Sequence, residues 1–90
     1  MAAYRLLIKS SAIKEIDAIE PKRDRQRIVA RIQALAADPR PAGCEKLVGN
    51  AARLRIRQGS YRVAYAVDEK ARTIEIVKIG HRREVYRGAT

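Results

Sequence analysis

The spacing of the apolar residues changes at Ala52, and that change decides most of what this chain can fold into. Ahead of it, Ala12, Ile13, Ile16 and Ile19, then Ile28, Ile32, Leu35 and Ala36, recur about every 3.6 residues, as on one face of a helix. Beyond it, ARLRIR, YRVAYAV and TIEIVKI alternate with the two-residue period of strands. Helical pattern followed by a run of strands is the signature of an α+β fold rather than of alternating βαβ units.

The remaining elements follow from local chemistry. Tyr4, Leu6 and Ile8 alternate with Arg5 and Leu7 and predict a short first strand. Ser10 and Ser11 offer an N-cap to the first helix, which Pro21 interrupts while opening the second. The second helix runs to Asp38, and Pro39, Pro41 and Gly43 begin a loop that carries the chain through EKLVGN. The expected order is strand, helical hairpin, then a three-strand antiparallel meander completing one sheet, with residues 1–90 forming a single domain. There is no Trp or Phe, so the core must be built from Ile, Leu, Val, Ala and four tyrosines.

Strand register then organises the charge. With Gly59-Ser60 as a two-residue loop, Arg57 pairs with Arg62, Ile56 with Val63, and Leu54 with Tyr65. Leu54, Ile56, Val63 and Tyr65 share the core face, leaving Arg53, Arg55, Arg57 and Arg62 together on the other. The last strand is ambiguous, because TIEIVKI has apolar residues of both parities; either Glu75 or Lys78 faces the arginines. Gly80 is expected to permit a bend that brings Arg82, Arg83 and Tyr86 toward them. Like charges set directly opposite destabilise a strand pair, so this concentration of arginine argues for an anionic ligand over a merely solvated face.

Composition supports that reading. Twenty Lys and Arg oppose ten Asp and Glu, a net charge of +10. Arginine outnumbers lysine fourteen to six, and the planar guanidinium matches phosphate bidentately where ammonium is a point charge. A polyanion such as nucleic acid, or an acidic protein, is the expected partner. One cysteine excludes an internal disulfide, and one His, one Cys and no clustered carboxylates exclude the usual metal sites. The N-terminal apolar run is broken by Arg5 and Lys9, too short for a signal peptide or a membrane span. The expectation is a cytoplasmic protein with no membrane association and no cofactor. No Ser-His-Asp or Cys-His arrangement can be assembled with Ser60, His81 or Cys44, and no phosphate-cradling glycine loop is present. From the residues alone, Tyr86 is explained equally well as a functional residue and as a core or edge tyrosine, whereas His81 reads as a structural or surface histidine rather than a base.

KLVG at Lys46 to Gly49, the Gly-x-Tyr-Arg turn at Gly59 to Arg62, and the ending GHRREVYR at Gly80 to Arg87 occur together in one chain. In these motifs the sequence resembles the RelE branch of the RelE/ParE superfamily of type II toxin–antitoxin toxins, a likeness that extends over nearly the whole chain. The resemblance implies a metal-independent endoribonuclease, an mRNA interferase acting on the ribosome, held silent by a cognate acidic antitoxin and touching operator DNA only through the antitoxin complex. It implies cleavage by attack of a ribose 2'-OH on the adjacent phosphate, leaving a 2',3'-cyclic phosphate. Carried onto this sequence, Arg62 and Arg82 would stabilise the phosphorane, and Tyr86 would orient or deprotonate the 2'-OH or stack on a base. Arg53, Arg55, Arg57 and Arg83 would bind RNA phosphates, with Arg83 able to take the place of Arg82. Well-studied relatives have lysines where this chain has Arg53 and Arg55, and arginine is a poor proton acceptor, so the general base is left unassigned. A second reading is a non-enzymatic ParE-like toxin that inhibits DNA gyrase by protein contact; a third is an inactive toxin retained as an antitoxin-bound co-repressor.

Overall fold

The computed structural model describes residues 3–47 and 50–81, without the side chains of 50–52. The chain runs β1 (Arg5–Ile8), α1 (Ser10–Asp17), α2 (Lys22–Leu35), β2 (Glu45–Leu47), β3 (Asn50–Gln58), β4 (Tyr61–Asp68) and β5 (Thr73–His81). The strands form one five-stranded sheet in the order β1-β5-β4-β3-β2, with β1 parallel to β5 and the other neighbours antiparallel. This is the α+β arrangement expected, with one strand more. The prolines and glycine of residues 39–43 predict a loop through EKL, but β2 pairs along the edge of β3, Glu45 opposite Arg55 and Lys46 opposite Leu54. Three residues are too few to show alternation, so only the presence of β3 reveals this strand.

The β3–β4 hairpin has the register that the Gly59-Ser60 turn dictates: Arg57 opposite Arg62, Ile56 opposite Val63, Leu54 opposite Tyr65. Gly59 has φ +61, the left-handed conformation that a two-residue turn with glycine first requires. Those four apolar residues are at most 1% exposed and meet Ile74, Ile76 and Ile79 of β5. Ala12, Ile16 and Ile19, with Ile28, Ile32 and Leu35, close the core from the helix side. The aliphatic stripes therefore pack as read, except that Ile13 is 46% exposed. Helix α1 starts at Ser10 with Lys9 in the capping position and no side-chain cap, so the serines lie within its first turn rather than ahead of it.

The helices also protect an edge of the sheet. Strand β1 ends at Ile8, opposite Ile76, and β5 runs on with no strand pairing it on that edge among the described residues. Glu15 of α1 fills that place: one carboxylate oxygen accepts from the Ile79 backbone N–H at 2.9 Å and the other from Lys78 Nζ at 2.8 Å. At the opposite end of the strands, Tyr65 Oη donates to the Pro39 carbonyl at 2.6 Å, tying the α2–β2 loop to the centre of the sheet. Burial pushes the Tyr65 hydroxyl well above the ordinary tyrosine range, so it stays protonated and keeps that bond. Beside it Glu69 joins Tyr4 and Arg40, while the Arg72 guanidinium lies over the Tyr4 ring, 4.4 Å from its centre. No described helix is long and apolar enough to cross a membrane.

Candidate anion-binding face

The sheet face turned away from the helices is ordered by three rows of paired residues. Arg53, Ala66, Glu75 and Leu7 form the first, running from β3 across β4 and β5 to β1. Glu45, Arg55, Ala64 and Lys78 form the second, running from β2 to β5. Arg57, Arg62 and Gly80 form the third. Neighbouring strands lie about 4.8 Å apart and alternate residues about 6.6 Å apart, so the four arginines fall within one small patch. Arg57 is exposed, while Arg53, Arg55 and Arg62 are half-buried. Arg57 directly opposite Arg62 is a like-charge pair costing on the order of 0.2–1 kcal/mol, a cost that an anion between them would reverse.

The ambiguity of β5 resolves into neither alternative alone. A bulge between Ala64 and Tyr65 on the β4 side leaves Val77 as an extra residue on β5. Glu75 and Lys78, three apart in sequence, thus stand opposite Ala66 and Ala64, two apart, and both enter rows of this face. Lys78 then reaches around to Glu15 in an ion pair.

Gly80 does not bend the chain after the last strand. It lies inside β5, which extends to His81, and pairs with Arg62. As a glycine it sets no side chain beside Arg62. Ala64 and Ala66 likewise place small side chains next to Arg55 and Arg53. The signal for these small neighbours lies in YRVAYAV, where Ala64 and Ala66 share the parity of Arg62. Arg82, Arg83 and Tyr86 lie outside the described residues.

Two other sequence candidates belong elsewhere. His81 pairs with Tyr61, whose parity is that of Val63 and Tyr65, and the two rings meet edge-on with centroids 6.2 Å apart. With Ser60 they line a cavity of about 300 Å³ bounded by Asp24 and Arg27 of α2, on the helix side of the sheet. Cys44 is half-buried against the core. The residue that sequence reasoning missed is Glu45. Its Oε1 accepts from Arg55 Nη2 at 3.2 Å, placing a carboxylate within the arginine face. It was invisible because β2 was.

A sheet with helices on one face and arginines gathered on the other defines a small α+β module with a basic face. Residues 6–86 match the family of ParE toxins of type II toxin–antitoxin systems, and this chain belongs to that RelE/ParE superfamily. Among solved structures it resembles the archaeal RelE in its complex with RelB from Pyrococcus horikoshii, with 30% identity and a TM-score of 0.79 over 89% of this chain and 96% of that one. It also resembles a double arginine-to-alanine mutant of the Escherichia coli toxin RelE in the free state, with 25% identity and a TM-score of 0.78 over 97% and 94% of the two chains. The toxin–antitoxin complex RelBE2 of Mycobacterium tuberculosis shares the fold at 21% identity, with a TM-score of 0.75 over 88% and 98%. A search of curated proteins gave no match.

Proposed function

We propose that this toxin is a metal-independent endoribonuclease that cuts mRNA on the ribosome and so inhibits translation. The observation that carries the reading is the placing of Arg53, Arg55, Arg57 and Arg62 in adjacent rows of one sheet face, with the small residues Ala64, Ala66 and Gly80 paired beside them. Guanidinium groups fixed on strands are suited to a phosphate whose charge grows in the transition state, because they need little reorganisation as the phosphorane forms. In this mechanism the 2'-oxygen attacks the adjacent phosphorus, Arg62 and Arg82 stabilise the phosphorane, and the 5'-oxygen leaves with a proton. Arg53, Arg55, Arg57 and Arg83 hold the flanking phosphates, and Tyr86 orients the attacking ribose.

Because relatives were crystallised with RelB antitoxins, a cognate antitoxin is the natural partner. An acidic segment of it would neutralise this face by folding onto it, competing with RNA for the same arginines. Operator DNA would be met only through that complex.

The match to ParE toxins favours a second reading, inhibition of DNA gyrase by protein contact without chemistry. Expression of the toxin without antitoxin, followed by mapping of mRNA 5' ends, separates the two. The ribonuclease reading expects new 5'-hydroxyl ends within translated frames and intact chromosomes. Intact mRNA together with DNA damage and gyrase inhibition by the purified toxin would replace it with the gyrase reading.

A further inference from the structure

One cation belongs to the arginine face by register and is bonded elsewhere. Lys78 closes the second row, with Ala64 and then Arg55 beside it, yet its Nζ lies 2.8 Å from Glu15 Oε2 of α1, on the helix side of the sheet. The side chain can turn that way because β1 ends at Ile8, opposite Ile76, and no strand pairs that edge of β5 beside Lys78 among the described residues. Glu15 does not need the lysine to keep its place. Its other oxygen accepts from the Ile79 N–H at 2.9 Å, and Ala12, Ile16 and Ile19 anchor the helical segment to the core. The Lys78 and Glu15 side chains are 36% and 29% exposed, so water reaches the pair, and ion pairs in contact with water are weak. A compact ammonium on a flexible four-carbon stem can change partners there without moving the backbone.

We infer that Lys78 is a further phosphate ligand for the RNA strand and that Glu15 holds it off the face until RNA arrives, an inference that rests on the ribonuclease reading above. Arg55 and Lys78 stand on either side of Ala64, two strand spacings or about 10 Å apart, a gap that two long side chains can close on one phosphate. Arg62 and Gly80 lie two residues away along β4 and β5, a step of about 6.6 Å, comparable to the spacing of successive phosphates in an extended strand. The phosphate shared by Arg55 and Lys78 is therefore the neighbour of the scissile one at Arg62. As RNA settles on the face, Lys78 Nζ exchanges the Glu15 carboxylate for a phosphate oxygen. Glu15 keeps the Ile79 N–H, so the edge of β5 stays covered during the exchange. Without RNA, the pair removes one positive charge from a face that already sets Arg57 against Arg62.

The test is binding of the full, antitoxin-free chain to a single-stranded RNA whose 2'-hydroxyls are methylated so that it cannot be cut, measured by fluorescence anisotropy over a range of salt. Lys78→Met keeps the stem and removes the charge. It is expected to weaken binding roughly two- to fivefold, the size of an exposed ion pair, and to lower the slope of log affinity against log salt by about 0.7, one phosphate contact on a single strand. Lys78→Arg should keep the wild-type slope. Glu15→Gln retains an oxygen for the Ile79 N–H but releases the ammonium, and should tighten binding by a similar factor. That gain should vanish when Lys78→Met is present as well, because the two side chains act through each other. Lys78→Met binding with wild-type affinity and slope would overturn the inference and leave the ion pair purely structural. A Glu15→Gln gain of equal size with and without Lys78 would also overturn it, since Glu15 would then act only as a nearby negative charge. Failure of wild type to bind this RNA would instead remove the ribonuclease reading, and the inference with it.

Discussion

Two arginine-bearing regions of this molecule are built on different plans. At the β4–β5 turn, Arg40 and Arg72 flank Glu69 and Tyr4: one guanidinium bonds the carboxylate and the other covers the ring. Asp68 accepts from the Ala71 N–H at 3.0 Å to shape the turn, and Arg72 adopts φ +56 there. The cations lie among groups that join β1, the α2–β2 loop and the turn. On the sheet face turned away from the helices, four arginines are brought together by register, two of them in a directly opposed pair, with Glu45 bonded to Arg55 at the edge. In the first region the charge closes contacts between segments. In the second, Arg57 and Arg62 stand directly opposite each other, a like-charge pair that an anionic ligand would stabilise.

The comparison is broken most sharply at Arg62. Replacing it with alanine is expected to lower cleavage roughly 10²–10³-fold, the cost of losing one donor to a developing oxyanion. Thermal stability should stay near wild type, because the substitution also removes the Arg57 repulsion. An Arg62→Ala toxin that unfolds at lower temperature in proportion to its lost activity would make the face structural.

The turn-end region should respond in the opposite sense. Tyr65→Phe deletes the bond to the Pro39 carbonyl and is expected to cost about 1 kcal/mol, read as a shift in the urea midpoint, with cleavage preserved. Loss of cleavage without loss of stability would show the two regions to be coupled.

The smallest effect is a pH dependence at Glu69. Hydrogen bonds from Tyr4, and then Arg40, hold its carboxyl below the usual carboxylate range. A carboxylate depressed in the folded state contributes stability that is present above its unfolded value and lost as pH falls through the folded one. The same bond holds the Tyr4 hydroxyl above its usual value, so its contribution is present below the ordinary tyrosine range and lost as pH rises through the folded value. Glu69→Gln should therefore flatten the melting temperature on the acid side, from about pH 4.5 downward, while leaving cleavage unchanged at neutral pH. An unaltered acid slope would place the titration elsewhere.

How much could be read beforehand depended on whether the cause was local. The Gly59-Ser60 turn sets the β3–β4 register, and period-two alternation does the rest, so the arginine face was legible residue by residue. The helical stripes were legible for the same reason, although Ile13 belongs to the right spacing and still faces outward. Strand β2 was not legible, since three residues of mixed character become a strand only by pairing with β3. The bulge on β5 was not legible either, because TIEIVKI fits two registers and the choice depends on β4 and on Glu15 reaching Lys78 and Ile79.

Sequence alone determined that Arg53, Arg55, Arg57 and Arg62 share a face, because parity along a strand and a two-residue turn are properties of adjacent residues. Only the tertiary structure decided what shares that face with them: Glu45 from an edge strand, Ala64 and Gly80 as small neighbours, and His81 turned to the other side. Those neighbours are joined across strands distant in sequence, and such proximity is set by packing of the whole sheet rather than by any local pattern.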